Sequence, residues 1–148
     1  MVGSDPVPAN HGDSFFAGGP SAGAGGTQAI DLSPLATSID AGNIQYDFSV
    51  DLGGYLSQGD QATVEADFLD QSSHLLTQVI LGPVSASDRG NLTGFLHRDA
   101  TALVPANTRQ VELFIVMTTA NGPYNDSYVD NVSLVLTPKM VFLPLVSR

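Results

Sequence analysis

The sequence contains no cysteine and no tryptophan, and only 5 of its 148 residues are lysine or arginine. Without cysteine the chain has no disulfides, no thiolate nucleophile and no Cys-ligated zinc. Its 15 acidic residues give a formal net charge of −10, and a field of that sign repels nucleic-acid phosphates and anionic lipid head groups. We therefore expect no nucleic-acid partner, and neutral ligands or cations remain.

No apolar run of 18 residues occurs in the sequence, so we predict no transmembrane helix. Charged residues make up 14% of the chain and hydrophobic residues 43%, which means that Ser, Thr, Asn, Gln and Gly must complete the surface. Such a surface suits an exported protein, and we expect a secreted or cell-surface location. The length fits one domain with a real core.

Catalytic motifs are also missing from the sequence. It has no HExxH zinc spacing, no GxSxG elbow and no P-loop. Two carboxylates such as Asp60 and Asp126 could act as acid and base on a glycoside, but a chain this acidic places some pair on neighbouring loops by chance. We therefore predict a protein that is not an enzyme.

Hydrophobic periodicity predicts strands along most of the chain. Apolar residues occupy the even positions from Ile44 to Leu52, and the same alternation returns over 61–68, which indicates strands with one wet face. Further strands are predicted at 75–81, 111–117 and 129–136, with shorter ones at 14–17, 27–32 and 93–98. About eight short strands separated by turn residues predict an all-β antiparallel sandwich or jelly roll.

The remaining segments complete the predicted organisation. The Gly-rich residues 17–26 are predicted to be loop, and a single helical turn is expected around 85–91. We assign residues 1–9 to a flexible leader, 10–137 to the sandwich and 138–148 to a C-terminal tail. The apolar part of that tail is interpreted as an extra edge segment or a sorting-type tail.

Antiparallel strands bring alternate loops to the same end of a sandwich. The loops at 53–60, 82–92 and 119–127 should therefore form one rim, where a binding site would use exposed polar and aromatic side chains. Rings of Tyr could stack on sugar faces while the polar groups bind hydroxyls, although each ring could equally cover the end of the core. The predicted ligand-binding residues are Tyr55, Gln58, Asp60, Arg89, Tyr124 and Asn125.

Oxygen-rich side chains near the last strand suggest a cation. Calcium takes six to eight oxygen ligands, and residues 125–131 hold the densest such cluster, with Asp126 and Asp130 on one face of the strand. Asp126 could instead cap the preceding turn. Asp130, flanked by valines, needs a basic or metal partner if it is buried.

Four short segments, in this order, resemble galactose-binding-like jelly rolls, in particular carbohydrate-binding modules of the family 4/9/22 type. They are residues 10–18 (Asn-His-Gly-Asp-Ser-Phe-Phe-Ala-Gly) with 27–31, residues 46–50 (Tyr-Asp-Phe-Ser-Val), and residues 128–134 (Tyr-Val-Asp-Asn-Val-Ser-Leu). The resemblance implies a structural calcium held by the side chain of Asp130 with Gly12 and Asp13 as neighbours. It also implies that a neighbouring domain or an N-terminal strand beyond this sequence completes the fold.

These observations predict a non-catalytic, calcium-stabilised carbohydrate-binding module of a secreted or surface protein. The expected partner is a neutral polysaccharide or glycan, and the predicted metal residues are Asp130, Asp13, Gly12 and Asp126. The alternative is a purely structural or adhesive β-sandwich without a sugar cleft. Open rings of Tyr55 and Tyr124 would favour binding, whereas packed rings would favour the scaffold.

Overall fold

Strands account for most of the residues that the computed structural model describes, which are 7–8, 12–120 and 122–139. This confirms the all-β prediction. The strands are β1 (Phe16–Gly19), β2 (Gly23–Asp31), β3 (Ile44–Gly54), β4 (Gln61–Leu69), β5 (Leu75–Leu81), β6 (Gly94–Leu103), β7 (Gln110–Thr118) and β8 (Asn125–Pro138).

The strands form two four-stranded antiparallel sheets that pack as a jelly-roll sandwich. The first sheet has the order β1-β8-β3-β6 and the second the order β2-β7-β4-β5. The even-numbered residues of β3 and β4 face inward and are buried, as their alternation predicts. Tyr46 of β3 and Phe68 of β4 meet across the interior with ring centroids 5.0 Å apart, so aromatic packing joins the two sheets.

The Gly-rich segment differs from the prediction because it is largely strand. Gly23 to Asp31 pairs along its whole length with β7. A Cβ on Gly25 would lie 2.3 Å from the carbonyl oxygen of Ile115, so this position needs glycine for the close approach of the two backbones. The glycines that suggested a loop therefore belong to an edge strand.

The helix also lies elsewhere than predicted. Residues 86–91 form turns, whereas a 3₁₀ turn at Ser33–Leu35 leads into a short helix, α1 (Ala36–Asp40). Pro34 presets the first turn, and Asp31 accepts the backbone N–H of Ser33 at 2.9 Å. The helix buries Ile39 completely and so closes the end of the core opposite the predicted rim.

The chain segments outside the sandwich are described only in part. Among the described residues, no helix is long and apolar enough to cross a membrane. Most of the predicted leader, at 1–6 and 9, lies outside the described residues, and so do residues 140–148 of the predicted tail.

Candidate functional site

The loops at 53–60, 82–92 and 119–127 meet at one end of the sandwich, as the strand order predicts. The Asp60 carboxylate accepts the backbone N–H of Asp126 at 2.8 Å, which joins the first loop to the third. The Arg89 guanidinium donates to the carbonyl of Gly54 at 2.8 Å, which joins the second loop to the first. We call the surface formed by these loops the rim.

Asp60 fastens two rim loops together from inside. Its side chain is only 3% exposed. Besides Asp126, it accepts hydrogen bonds from the Thr119 hydroxyl at 2.9 Å and the Ala120 backbone N–H at 2.8 Å. The sequence placed Asp60 among the ligand-contacting residues, whereas the structure uses its oxygens to hold the loops. A carboxylate suits this role because it accepts several N–H and O–H donors at once.

Arg89 is likewise a buried support rather than a surface group. It is 8% exposed, and its Nη1 donates to the carbonyls of Gly54 and Leu92. Within the part of the chain that the structure describes, its Nε and Nη2 have no hydrogen-bond partner. Burial lowers the pKa of the guanidinium from its ordinary value. The Arg89 side chain therefore underlies the rim instead of facing a ligand, which differs from the sequence prediction.

Asn125 is the third predicted ligand residue that the structure buries. Its Oδ1 accepts the backbone N–H of Ser127 at 3.0 Å and the Ser127 hydroxyl at 2.6 Å. A Cβ on Gly18 would lie 2.3 Å from Asn125 Cγ, so the amide packs directly against β1. Asn125 thus shapes the start of β8 and is not available to a ligand.

Two tyrosines and a glutamine remain on the outside of the rim. Tyr55 is 40% and Tyr124 is 52% exposed, Gln58 is exposed as well, and neither tyrosine ring packs on another aromatic ring in the described part of the chain. Leu56 and Leu92 add exposed apolar surface to the same loops. The rim therefore presents apolar and aromatic side chains beside a polar amide.

Leu56 carries backbone strain at this surface. Its φ of 42° lies in the left-handed region, which a bulky residue seldom adopts. Its backbone N–H donates to the Thr93 hydroxyl at 3.1 Å, and this contact holds the strained turn. Such strain concentrates at functional sites. Sequence reasoning missed Leu56, because only the preceding Gly53-Gly54 signalled a turn there.

Asp130 is buried on the first sheet next to another carboxylate. It pairs directly with Asp51 of β3, and one of its oxygens accepts the backbone N–H of Asn131 at 2.8 Å. None of the ion pairs within the described residues involves Asp130. Two acids opposite each other on adjacent strands repel, so a cation would relieve this arrangement.

The other predicted metal residues divide into two groups. The first group lies near Asp130. Gly12 and Ser14 line one cavity with Asp130, and Asp13 lies between them in sequence. Asp126 lies four residues from Asp130 along the same strand, roughly 13 Å away at ~3.3 Å per residue. That separation is too long for one ion, so the structure does not bring Asp126 into a site with Asp130.

A calcium ion at Asp130 would have only a limited set of side-chain ligands. The part of the chain that the structure describes holds no group of three or more His, Asp or Glu residues arranged for a metal. The Asp130 carboxylate would therefore act with backbone carbonyl oxygens, which calcium accepts and transition metals disfavour. Gly12 and Ser14 would offer their backbone carbonyl oxygens, since both line the cavity that Asp130 lines.

A polar cluster that sequence reasoning missed lies on the outer face of the first sheet. His97 Nδ1 lies 2.9 Å from one oxygen of Asp51, and the Asn131 side-chain amide donates to the other oxygen at 2.8 Å. These groups line a cavity of about 570 Å³ together with Ser49 and Ser133. The alternation in β3 indicated only that Asp51, at an odd position, lies on the outer face. Its partners could not be predicted, because they come from strands far away in sequence.

Comparisons with known proteins concern the fold. No family model and no curated protein matches the chain. It is similar to the enzymatically active domain of tailspike protein 4 of bacteriophage CBA120, with 13% identity and a TM-score of 0.50, covering 80% of this chain and 14% of that one. At this identity the likeness shows the fold alone, and it agrees with the jelly-roll architecture.

Two further solved structures share lower similarity. One is the structure of infectious bursal disease virus Gx strain, with 10% identity and a TM-score of 0.46, covering 83% of this chain and 32% of that one. The other holds the CBM22-1 and GH10 modules of Clostridium thermocellum xylanase 10B with xylohexaose, with 13% identity and a TM-score of 0.42, covering 85% of this chain and 28% of that one. The chain spans about a third or less of all three structures.

Proposed function

We propose that this chain is a non-catalytic carbohydrate-binding module that holds a neutral polysaccharide or glycan at the rim. One observation carries the proposal: Tyr55 and Tyr124 are both open to solvent on loops that buried side chains lock together. Open rings were the feature that separates binding from a pure scaffold. Aromatic rings give the apolar platform on which a pyranose face stacks.

The buried supports make the rim suitable for binding. Asp60 lies on the tyrosine loop 53–60 and accepts N–H groups from the loop that carries Tyr124. Because these hydrogen bonds order both loops before a ligand arrives, binding costs less conformational entropy. Gln58 supplies amide donors and an acceptor for hydroxyl groups at the same surface.

The charge of the rim favours a neutral ligand. The chain carries a net charge of −10, and the Arg89 guanidinium is buried beneath the loops. An acidic polysaccharide would therefore meet a repulsive field that the buried Arg89 guanidinium does not offset. Neutral sugars are exempt from this repulsion.

We also propose that calcium stabilises the module through Asp130, and that the protein acts outside the cell or at its surface. The buried position of Asp130 beside Asp51 supports the metal. Bound calcium would neutralise these acids and tie residues around Gly12 to β8. Its role is structural, since Asp130 lies on β8 away from the rim tyrosines.

Affinity electrophoresis tests the binding function. The native chain should migrate more slowly in gels that contain a neutral polysaccharide it binds, and the Tyr55→Ala/Tyr124→Ala variant should lose this retardation. Leu75→Ala is the matched control, since Leu75 is equally exposed on β5 outside the rim loops. Equal retardation of all variants would place glycan binding away from the rim tyrosines. No retardation across a panel of neutral glycans would support the structural or adhesive alternative.

A further inference from the structure

Strand β5 is an open edge of the second sheet. The order β2-β7-β4-β5 places it at the end of that sheet, and among the described residues it pairs with β4 alone. This pairing is regular from Thr77 to Leu81, and its register shifts once, near Leu75. The side of β5 that faces away from β4 therefore presents backbone N–H and C=O groups that no other strand in the described part of the chain pairs with.

The sequence of β5 lacks the side chains that usually protect an edge. Residues 75–81 read Leu-Leu-Thr-Gln-Val-Ile-Leu, without charge and without proline, and Ile80 is 48% exposed. Edge strands of soluble proteins are usually blocked by charges or prolines, because an open edge recruits another strand. The neighbouring edge, β6 of the first sheet, follows this rule with the ionisable residues 97–99 near its centre. Of these two edges, β5 is therefore the one suited to pair with a further strand.

The residues of β5 are arranged symmetrically about its central residue. In an antiparallel pair of two β5 strands centred on Gln78, Leu75 lies opposite Leu81 of the other copy, Leu76 opposite Ile80, Thr77 opposite Val79, and Gln78 opposite its own copy. Each pair joins side chains of similar size, and the pairs on either side of the centre are β-branched or aliphatic. Such cross-strand pairs stabilise antiparallel sheets. The strand is thus complementary to a second copy of itself, as a two-fold interface requires.

We propose that two copies of this chain associate through β5, which joins their second sheets into one continuous antiparallel sheet. The two-fold axis passes beside Gln78. The side-chain amide of Gln78 donates to Asp67 of β4 at 2.9 Å, so this side chain leans over the sheet of its own copy and leaves the backbone edge accessible. On both sides of the axis, the pairing brings apolar side chains of the two copies together.

A second copy is the occupant that the sequence of this edge favours. An unrelated strand would present a matching residue to each position of β5 only by chance, whereas a copy of β5 does so by symmetry. The net charge of −10 on each chain opposes association. No charge lies on β5 itself, so this repulsion acts between other parts of the surface, where salt screens it. Dimerisation should therefore strengthen as salt is added.

Antiparallel pairing turns the two rims in opposite directions. The rim loop 82–92 follows β5 directly, and two antiparallel β5 strands place their C-terminal ends at opposite ends of the interface. This consequence rests on the proposed glycan binding: a dimer with two opposed rims would hold two polysaccharide chains together. The association of the two copies does not itself rest on that function.

Sedimentation equilibrium of the full chain tests the association without any glycan. Between about 10 μM and about 1 mM protein, the average mass should rise from the 15.4 kDa of one chain towards twice that value. Ile80→Lys places a charge on the edge and should keep the chain monomeric. Val116→Lys is the matched control, because Val116 is 41% exposed on β7, an interior strand of the same sheet. It adds the same charge and should dimerise like the native chain.

Single cysteines test the register, since the chain has no cysteine of its own. A Gln78→Cys variant places the new side chain directly opposite its copy, with about 5 Å between the Cβ atoms, and should form a disulfide-linked dimer on oxidation. In an Ile80→Cys variant the two sulfurs would lie roughly 13 Å apart along the strands, so no linked dimer should form. Both positions are exposed, and both variants should keep the circular dichroism spectrum of the native chain.

Three results would overturn the proposal. The first is a chain that stays at the monomer mass over the whole concentration range. The second is a dimer that Ile80→Lys leaves intact, and the third is a disulfide that forms equally with either cysteine, because the contact would then lie elsewhere or lack this register. None of these measurements contains a glycan, so failure of the proposed glycan binding would leave them unchanged.

Discussion

Removal of the Asp60 carboxylate should loosen the rim and destabilise the whole domain. Asp60→Ala deletes hydrogen bonds of 2.8–2.9 Å to Thr119, Ala120 and Asp126. Hydrogen bonds to a charged group contribute about 1.5–3 kcal/mol each, but water admitted by the truncation would replace part of them, so we expect a loss of about 3 kcal/mol. For a domain of this size that loss lowers the melting temperature by roughly 6–12 °C.

Thermal and urea unfolding measure this effect directly. Gln58→Ala, on the same loop but exposed, should change the free energy of unfolding by less than about 0.5 kcal/mol. Asp60→Asn should fall between the two, because its amide keeps one acceptor but sets N–H donors against N–H donors. An Asp60→Ala variant within about 1 kcal/mol of the native chain would refute the inference that this carboxylate holds the loops.

Three further changes test other parts of the structure. Calcium should raise the melting temperature of the native chain by several degrees relative to EDTA, whereas Asp130→Asn should melt equally in both; a calcium effect that persists in the variant would count against Asp130 as ligand. The Arg109 hydrogen bond holds the pKa of Asp40 below its ordinary value, so its stabilisation is complete above that value and is lost as the pH falls through the lowered pKa. Asp40→Asn should therefore melt below the native chain at neutral pH, and the gap should close as the pH falls through the lowered pKa of Asp40. A gap that persists below that pKa would contradict this origin. Gly25→Val places a Cβ against the β7 backbone and should cost on the order of 2 kcal/mol, whereas Gly26→Ala, where a Cβ meets nothing within 4 Å, should cost less than about 1 kcal/mol in urea unfolding.

The strands with one wet face were predictable because their pattern is local. The alternation from Ile44 to Leu52 sets which side chains enter the core, and the structure buries those positions. The turn residues separated the strands, and the antiparallel alternation of those strands then predicted that three loops lie at one rim. The Gly-rich β2 was missed because glycine signals a turn by default, and its role as an edge strand depends on the close approach of β7.

The division of the rim into exposed and buried side chains could not be predicted from the sequence. Asp60 and Tyr55 lie in the same loop, and nothing in the local sequence tells which of them is exposed. Asp60 is buried because hydrogen-bond donors more than fifty positions away contact it. The pairing of His97 with Asp51 depends on the register between β6 and β3. Contacts of this kind depend on how the strands pair, so the local sequence pattern does not predict them.

The central claim is that the exposed tyrosines of the rim bind a neutral glycan, and NMR titration tests it most directly. Adding the neutral polysaccharide that retards the chain most should shift the backbone amides of 55–58, Gly122 and Tyr124, with smaller changes elsewhere. Shifts confined to the outer face of the first sheet, around Asp51 and His97, would place the site elsewhere. An unchanged spectrum with every glycan of the panel would contradict the account.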